Sequence, residues 1–177
     1  MKITYSIVLA ITLLCVSCNK EPSLQKYFVE NTDNNNFLAL DISPSILNIA
    51  KDSLSEDQHT ALASFDKINI LAFKLTEENK EQYEIENTKV NQILKDEKYQ
   101  QLMKFSTGAS AASVSFIGDD DHIDEFILYT NRKENGFAII RVLGNDMNAN
   151  NIMSLMQIVQ KSNVDMEQLK PLQQLMK

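Results

Sequence analysis

The apolar residues of this chain change their spacing several times, and each spacing predicts a different element. Ile3 to Val16 is a run broken only by Thr4, Tyr5, Ser6 and Thr12, and it ends against polar Asn19-Lys20-Glu21-Pro22. That run is too short to span a bilayer. Leu24, Tyr27 and Phe28 then fall on one side of a short helix over 24–30, and Asn31 to Asn36 is a polar turn. Residues 37–42 read as a strand. Ser43-Pro44 opens a helix, because Ser caps it and Pro lacks only an N–H that the first turn leaves unpaired; Ile46, Leu47, Ile49 and Ala50 follow on one side. Ser55 and Gln58 have the spacing of a capping box, for a second short helix through Ala61, Leu62 and Phe65.

Residues 67–75 are strand-like. Thr76 is expected to cap a long polar helix to about Asp96, with Tyr83, Val90 and Leu94 near one face. Residues 97–103 read as one more turn of helix, and 112–117 as a strand in which Val114 and Phe116 alternate. Two further strands, 123–130 and 137–143, flank Asn135-Gly136, a two-residue signal for a type I′ turn because both positions need positive φ. That turn pairs Tyr129 with Val142 and Leu128 with Leu143. It puts Phe126, Leu128, Phe137, Ile139 and Leu143 on one hairpin face, and Ile127, Tyr129, Ala138, Ile140 and Val142 on the other. Beyond Gly144, Asp146 or Asn148 caps a helix holding Ile152, Leu155, Met156 and Val159. Asp165 with Gln168 starts a last helix, which Pro171 kinks or splits.

This order predicts an α+β domain: one mixed, largely antiparallel sheet of about five strands with helices packed mainly on one face. In two layers the second hairpin face stays open. Phe126, Leu128, Phe137, Ile139 and Leu143 are then a candidate partner surface, unless another helix covers them.

The chain's first 18 residues say where such a domain sits. Lys2, the apolar run and Ser17-Cys18 have the three-part layout of an export signal, and the small residue before Cys18 resembles a bacterial lipobox. Cleavage after Ser17 makes Cys18 the N-terminus and the site of diacylglycerol and palmitate attachment. Cleavage before Cys15 is disfavoured by the bulk of Leu14. The expected organisation is a signal peptide over 1–17, a lipidated tether over 18–23 and a single domain over 24–177. Several acyl chains hold a protein firmly, at about 0.8 kcal/mol per buried CH₂. The tether from Asn19 to Ser23 reaches about 17 Å when fully stretched, so the domain rides close to the bilayer. Partners are therefore expected at the membrane too.

Composition narrows the classes further. Cys15 and Cys18 are the only cysteines, so the domain has no disulfide and no cysteine metal ligand. The net charge is −7, and loss of Lys2 leaves 16 basic against 24 acidic residues. An acidic surface repels phosphates, which argues against nucleic acid. It also repels anionic lipid heads, leaving the acyl groups to hold the membrane.

Residues 136–148, Gly-Phe-Ala-Ile-Ile-Arg-Val-Leu-Gly-Asn-Asp-Met-Asn, precede an Ile/Met/Leu helix. This stretch resembles the C-terminal part of a Bacteroidetes lipoprotein family called domain of unknown function 4252. The upstream order fits as well: lipoprotein signal, early strand with Ser-Pro helix, Ile/Leu strand, charged helix, hairpin. The resemblance implies a small lipoprotein without an assigned activity, with a hint of envelope signalling, and it carries over no functional residue. Asn19-Lys20-Glu21 partly resembles the phylum's surface-export signal, with Pro22 where a second acid is usual. Asp52-Ser53-Leu54 fits its O-glycosylation pattern, which makes Ser53 a candidate modification site.

Candidate chemistry is sparse. Gly108-Ala109-Ser110-Ala111-Ala112 looks like a nucleophile elbow but has helix before it and strand after, the reverse of what an elbow needs. Asp119, Asp120, Asp121, Asp124 and Glu125 form the densest acid cluster. Asp119, Asp121 and Asp124 are weak candidates for a hard cation such as Ca²⁺, although they lack the alternate spacing of a calcium loop. His59 and His122 are far apart among polar residues. The expected function is a lipid-anchored, non-enzymatic binding or regulatory module. It would sit at the bacterial outer membrane, on the periplasmic face or the cell surface, need no cofactor and engage an envelope protein. The rival is a small envelope hydrolase using Ser110 or the Asp119–Glu125 loop.

Overall fold

The computed structural model describes residues 22–47 and 54–161. Helix α1 (Leu24–Asn31) comes first, followed by strand β1 (Phe37–Ile42), a 3₁₀ turn (Pro44–Leu47), helix α2 (Glu56–Ser64) and strand β2 (Phe65–Lys74). Helix α3 (Lys80–Ile93) leads to four strands in succession: β3 (Gln100–Ser106), β4 (Ser110–Asp119), β5 (His122–Arg132) and β6 (Gly136–Met147). Helix α4 (Ala149–Lys161) follows. The expected helix over 165–177, the signal peptide, the tether up to Glu21, and Ser53 lie outside the described residues.

Local chemistry sets several boundaries. The Ser23 hydroxyl accepts from the Lys26 N–H and caps α1. Ser55 and Gln58 close the anticipated capping box on α2. Asn148 accepts from the Asn151 N–H and opens α4. Helix α3 starts at Lys80, later than a Thr76 cap would place it. The Asn79 side chain is turned to the preceding loop, where it accepts from the Thr76 N–H at 2.8 Å and donates to the Lys74 carbonyl at 3.1 Å.

The six strands form one sheet in the order β1-β2-β6-β5-β4-β3, and every pairing is antiparallel. The α+β class with one antiparallel sheet is as expected, with six strands in place of about five. The additional strand is β3, whose residues 100–103 were expected to be helical. Helices lie on both faces, not mainly on one. On the first face α1 and α3 bury Leu71, Phe73, Ile127, Tyr129, Phe137 and Ile139. On the second, α2 and α4 cover Phe65, Ile68, Ile70, Ile140 and Val142. The interior strands are apolar on both sides, and one layer of helices would leave half of those side chains in water.

Aromatic rings dominate the first-face core. Phe73 and Phe137 stack with centroids 5.6 Å apart, and Phe37 meets both edge-on. Offset and edge-to-face contacts of this kind add about 0.5–1.5 kcal/mol beyond the area buried.

Candidate binding surface at the open edge of the sheet

The hairpin carries the expected partner surface, and its register decides whether that surface exists. Arg132 pairs with Gly136, Tyr129 with Ile139, Leu128 with Ile140 and Phe126 with Val142. The loop is therefore Lys133-Glu134-Asn135, one residue longer than a type I′ turn over Asn135-Gly136. Residues flanking two neighbouring strands hold it open: the Lys133 N–H donates to the Ala109 carbonyl, just before β4, and the Leu75 N–H, just after β2, to the Asn135 carbonyl. Gly136 has φ +111°, and a Cβ there would collide with the Phe73 carbonyl oxygen, so glycine is required on both counts.

This register is offset by three residues from the expected one, an odd number that exchanges the faces of one strand relative to the other. The five residues proposed as one surface are divided. Phe126 and Leu128 lie on the second face, while Phe137, Ile139 and Leu143 lie on the first. Phe126, Phe137 and Ile139 are core residues, and only Leu128 is exposed, at 38%. They do not make a docking face.

The exposed apolar surface lies one strand further out. All seven residues of β3 are exposed, and they include Leu102 (54%), Met103 (61%) and Phe105 (58%). β3 is the last strand of the sheet, so among the described residues its outer backbone groups meet no other strand. Its register shifts between Gln101 and Met103, a bulge at Leu102. Beyond the bulge Met103 opposes Val114 and Phe105 opposes Ala112, and Val114 in turn opposes Leu128. Met103, Phe105, Val114 and Leu128 thus share the second face, where they extend the sheet past the helices. The sequence signal was the period-two spacing of Met103 and Phe105 in a stretch free of Gly and Pro, hidden by the helix-like residues before it.

The remaining candidates are dispersed. Ser110 opens β4 opposite Arg132, and its N–H donates to the Thr107 hydroxyl. His122 pairs with Asp119 nine residues further along β4, about 30 Å away at ~3.4 Å per residue. His59 is exposed on α2. Asp120 and Asp121 form the turn between β4 and β5, and Asp124 is the extra residue of a bulge between Ile123 and Glu125. Among the described residues, no three His, Cys, Asp or Glu side chains are grouped so as to hold a metal ion. His122 Nδ1 lies 3.0 Å from Asp146 Oδ1, both side chains largely in solvent, and Asp146 has φ +53°.

The bulge at Asp124 has a second effect, which the sequence did not reveal. It sends Ile123 to the second face with Phe116 and Met147, and Glu125 to the first, beside Arg141. Glu125 accepts from Arg141 Nε at 2.6 Å and Nη2 at 2.8 Å; Arg141 Nη1 donates to Gln25 of α1 at 2.9 Å, and the guanidinium lies over the Phe28 ring. Nearby, the Tyr99 hydroxyl accepts from the Leu24 N–H, and the Tyr27 hydroxyl donates to Glu86 at 2.8 Å. Burial, and secondarily that Glu86 carboxylate, raises the Tyr27 pKa far above the ordinary phenol value. Burial also raises those of Tyr83, Tyr99 and Tyr129. These groups are satisfied internally and hold α1 and α3 to the sheet.

Among the described residues, no helix is long and apolar enough to cross a membrane. No curated protein and no solved structure matches the chain. The family model of the Domain of unknown function (DUF4252) matches residues 27–155, from within α1 to within α4 and so across the whole sheet, and the chain belongs to that family.

Proposed function

We propose that this protein is a lipid-anchored binding or regulatory module of the bacterial cell envelope that acts on a protein partner through the open edge of its sheet. In this reading residues 1–17 are removed, Cys18 carries the acyl groups, and the domain stands at the outer membrane on its periplasmic face or the cell surface. The export-signal pattern supports the location. One structural observation supports the mode of action: β3 has every residue exposed, Leu102, Met103 and Phe105 among them. Edge strands are commonly blunted by charge, proline or bulges, because their unpaired backbone invites another chain. β3 has a bulge at Leu102 and a single lysine, Lys104. These restrict indiscriminate pairing and leave its apolar side chains available to a shaped partner.

Photo-cross-linking in cells tests this. A photoreactive amino acid at position 105 is expected to give a discrete cross-linked protein band, absent when the same group stands at exposed Ile85 on α3. Phe105→Asp combined with a photoreactive group at position 103 is expected to weaken the band at least about tenfold, as loss of a buried aromatic anchor does. Equal labelling from positions 85 and 105 would contradict the reading.

A further inference from the structure

A second feature of the open face lies inward from β3, and it is independent of the proposal above. Beyond the reach of the described residues of α2 and α4, four strands place small residues side by side. Ala72 opposes Ala138, Ala138 opposes Thr130, and Thr130 opposes Ala112. The neighbouring row is bulkier, with Ile70 beside Ile140. The small row is therefore the floor of a trough, and the cavity measures about 630 Å³. That lies within the ~300–1,000 Å³ of small-molecule sites.

The next row along the same face is Lys74, Gly136 and Arg132. Both cations line the cavity, both are exposed, and the residue between them has no side chain. Among the described residues neither forms an ion pair, although the chain has more acids than bases. The two strands that carry them lie about 10 Å apart across β6, so both side chains can close on one head group.

The floor limits what lies along it. β2, β6 and β5 are interior strands paired on both sides, so their backbone groups are already hydrogen-bonded. Thr130 supplies the only polar side chain in the trough's small row. A peptide laid there would bury amide groups without partners, at about 1–3 kcal/mol each. An unbranched hydrocarbon loses nothing. We infer that the trough takes a single-chain anionic amphiphile, a long-chain fatty acid, with its hydrocarbon along Ala72, Ala138 and Thr130 and its carboxylate between Lys74 and Arg132.

The test uses the full chain in phosphatidylcholine vesicles with two photoreactive probes, a C16 fatty acid and the corresponding fatty alcohol. Adducts are mapped by peptide mass spectrometry. The expected result is fatty-acid labelling of residues 70–74 and 130–140, roughly tenfold above that by the alcohol, because the charged head adds charge-assisted hydrogen bonds. Ala138→Leu fills the floor and is expected to remove that labelling. The exposed pair Lys74→Glu with Arg132→Glu leaves the core untouched and is expected to reduce acid labelling to the alcohol's level. Equal labelling by acid and alcohol in the unaltered chain overturns the inference, as does labelling that survives both sets of substitutions. No labelling of these segments by either probe, the outcome if protein covers the trough, overturns it too. Each of these results leaves the cross-linking outcome at position 105 unaffected.

Discussion

Arg141 and Glu125 sit diagonally across β6 and β5, 4% and 6% exposed, and join through two parallel hydrogen bonds of 2.6 and 2.8 Å. A paired charge is tolerated in a core; a single one is not. Arg141→Leu or Glu125→Leu alone is expected to cost about 3–5 kcal/mol in urea denaturation, by stranding the partner. The double substitution should recover most of that loss. A double variant as unstable as the sum of the two singles would show that the side chains act independently.

The hairpin register gives a second test. Ile139 is fully buried on the first face, and Leu128 projects from the second. Ile139→Asp is expected to unfold the chain, with a cost above about 4 kcal/mol, and Leu128→Asp to cost under about 1 kcal/mol. Circular dichroism melts would distinguish the two. Similar losses at both positions would restore the single-face hairpin.

Gly136 is a third point of leverage. Gly136→Ala puts a Cβ against the Phe73 carbonyl at φ +111°. An expected cost of at least about 2 kcal/mol follows from the strain and the displaced β2 backbone. An unchanged urea midpoint would contradict the described contact.

The tyrosines set the alkaline limit. Tyr27, Tyr83, Tyr99 and Tyr129 all have raised pKa values in the fold. Above about pH 10 the unfolded chain releases phenol protons that the folded chain retains. Stability is therefore full below pH 10 and falls as pH rises beyond it. Tyr27→Phe is expected to lower stability at pH 7 by about 1 kcal/mol, through the lost bond to Glu86, and to flatten the alkaline decline. Urea midpoints between pH 7 and 11 provide the check.

Much of this architecture was legible from residue order. The Ser55 capping box, the apolar stripe of α1 and the runs of β1, β2 and β4 depend on neighbours within a few positions. What escaped depends on distant parts of the chain. Asn135-Gly136 is a local turn signal, and contacts from Ala109 and Leu75 override it. Glu125 belongs by sequence to an acid loop, and a one-residue bulge at Asp124 turns it inward to Arg141. β3 looked helical because Tyr99 and the charged residues before it continue the pattern of α3. Its exposure follows from its place at the sheet's edge, which no local pattern encodes.

The N-terminus offers a fifth check. Mass spectrometry of the chain from membranes is expected to find a mature protein starting at Cys18, with diacylglycerol and acyl mass added. Cys18→Ala should leave the leader attached. A bare thiol at Cys18, or an intact leader on the unaltered chain, would remove the membrane from the proposed function.

Amide hydrogen exchange tests partner binding at the sheet edge most directly, comparing the chain in native envelopes with the purified chain. The expected result is slower exchange over residues 100–106 in envelopes, with residues 80–93 of α3 unchanged. Equal exchange over 100–106 in both preparations would mean that no partner covers β3.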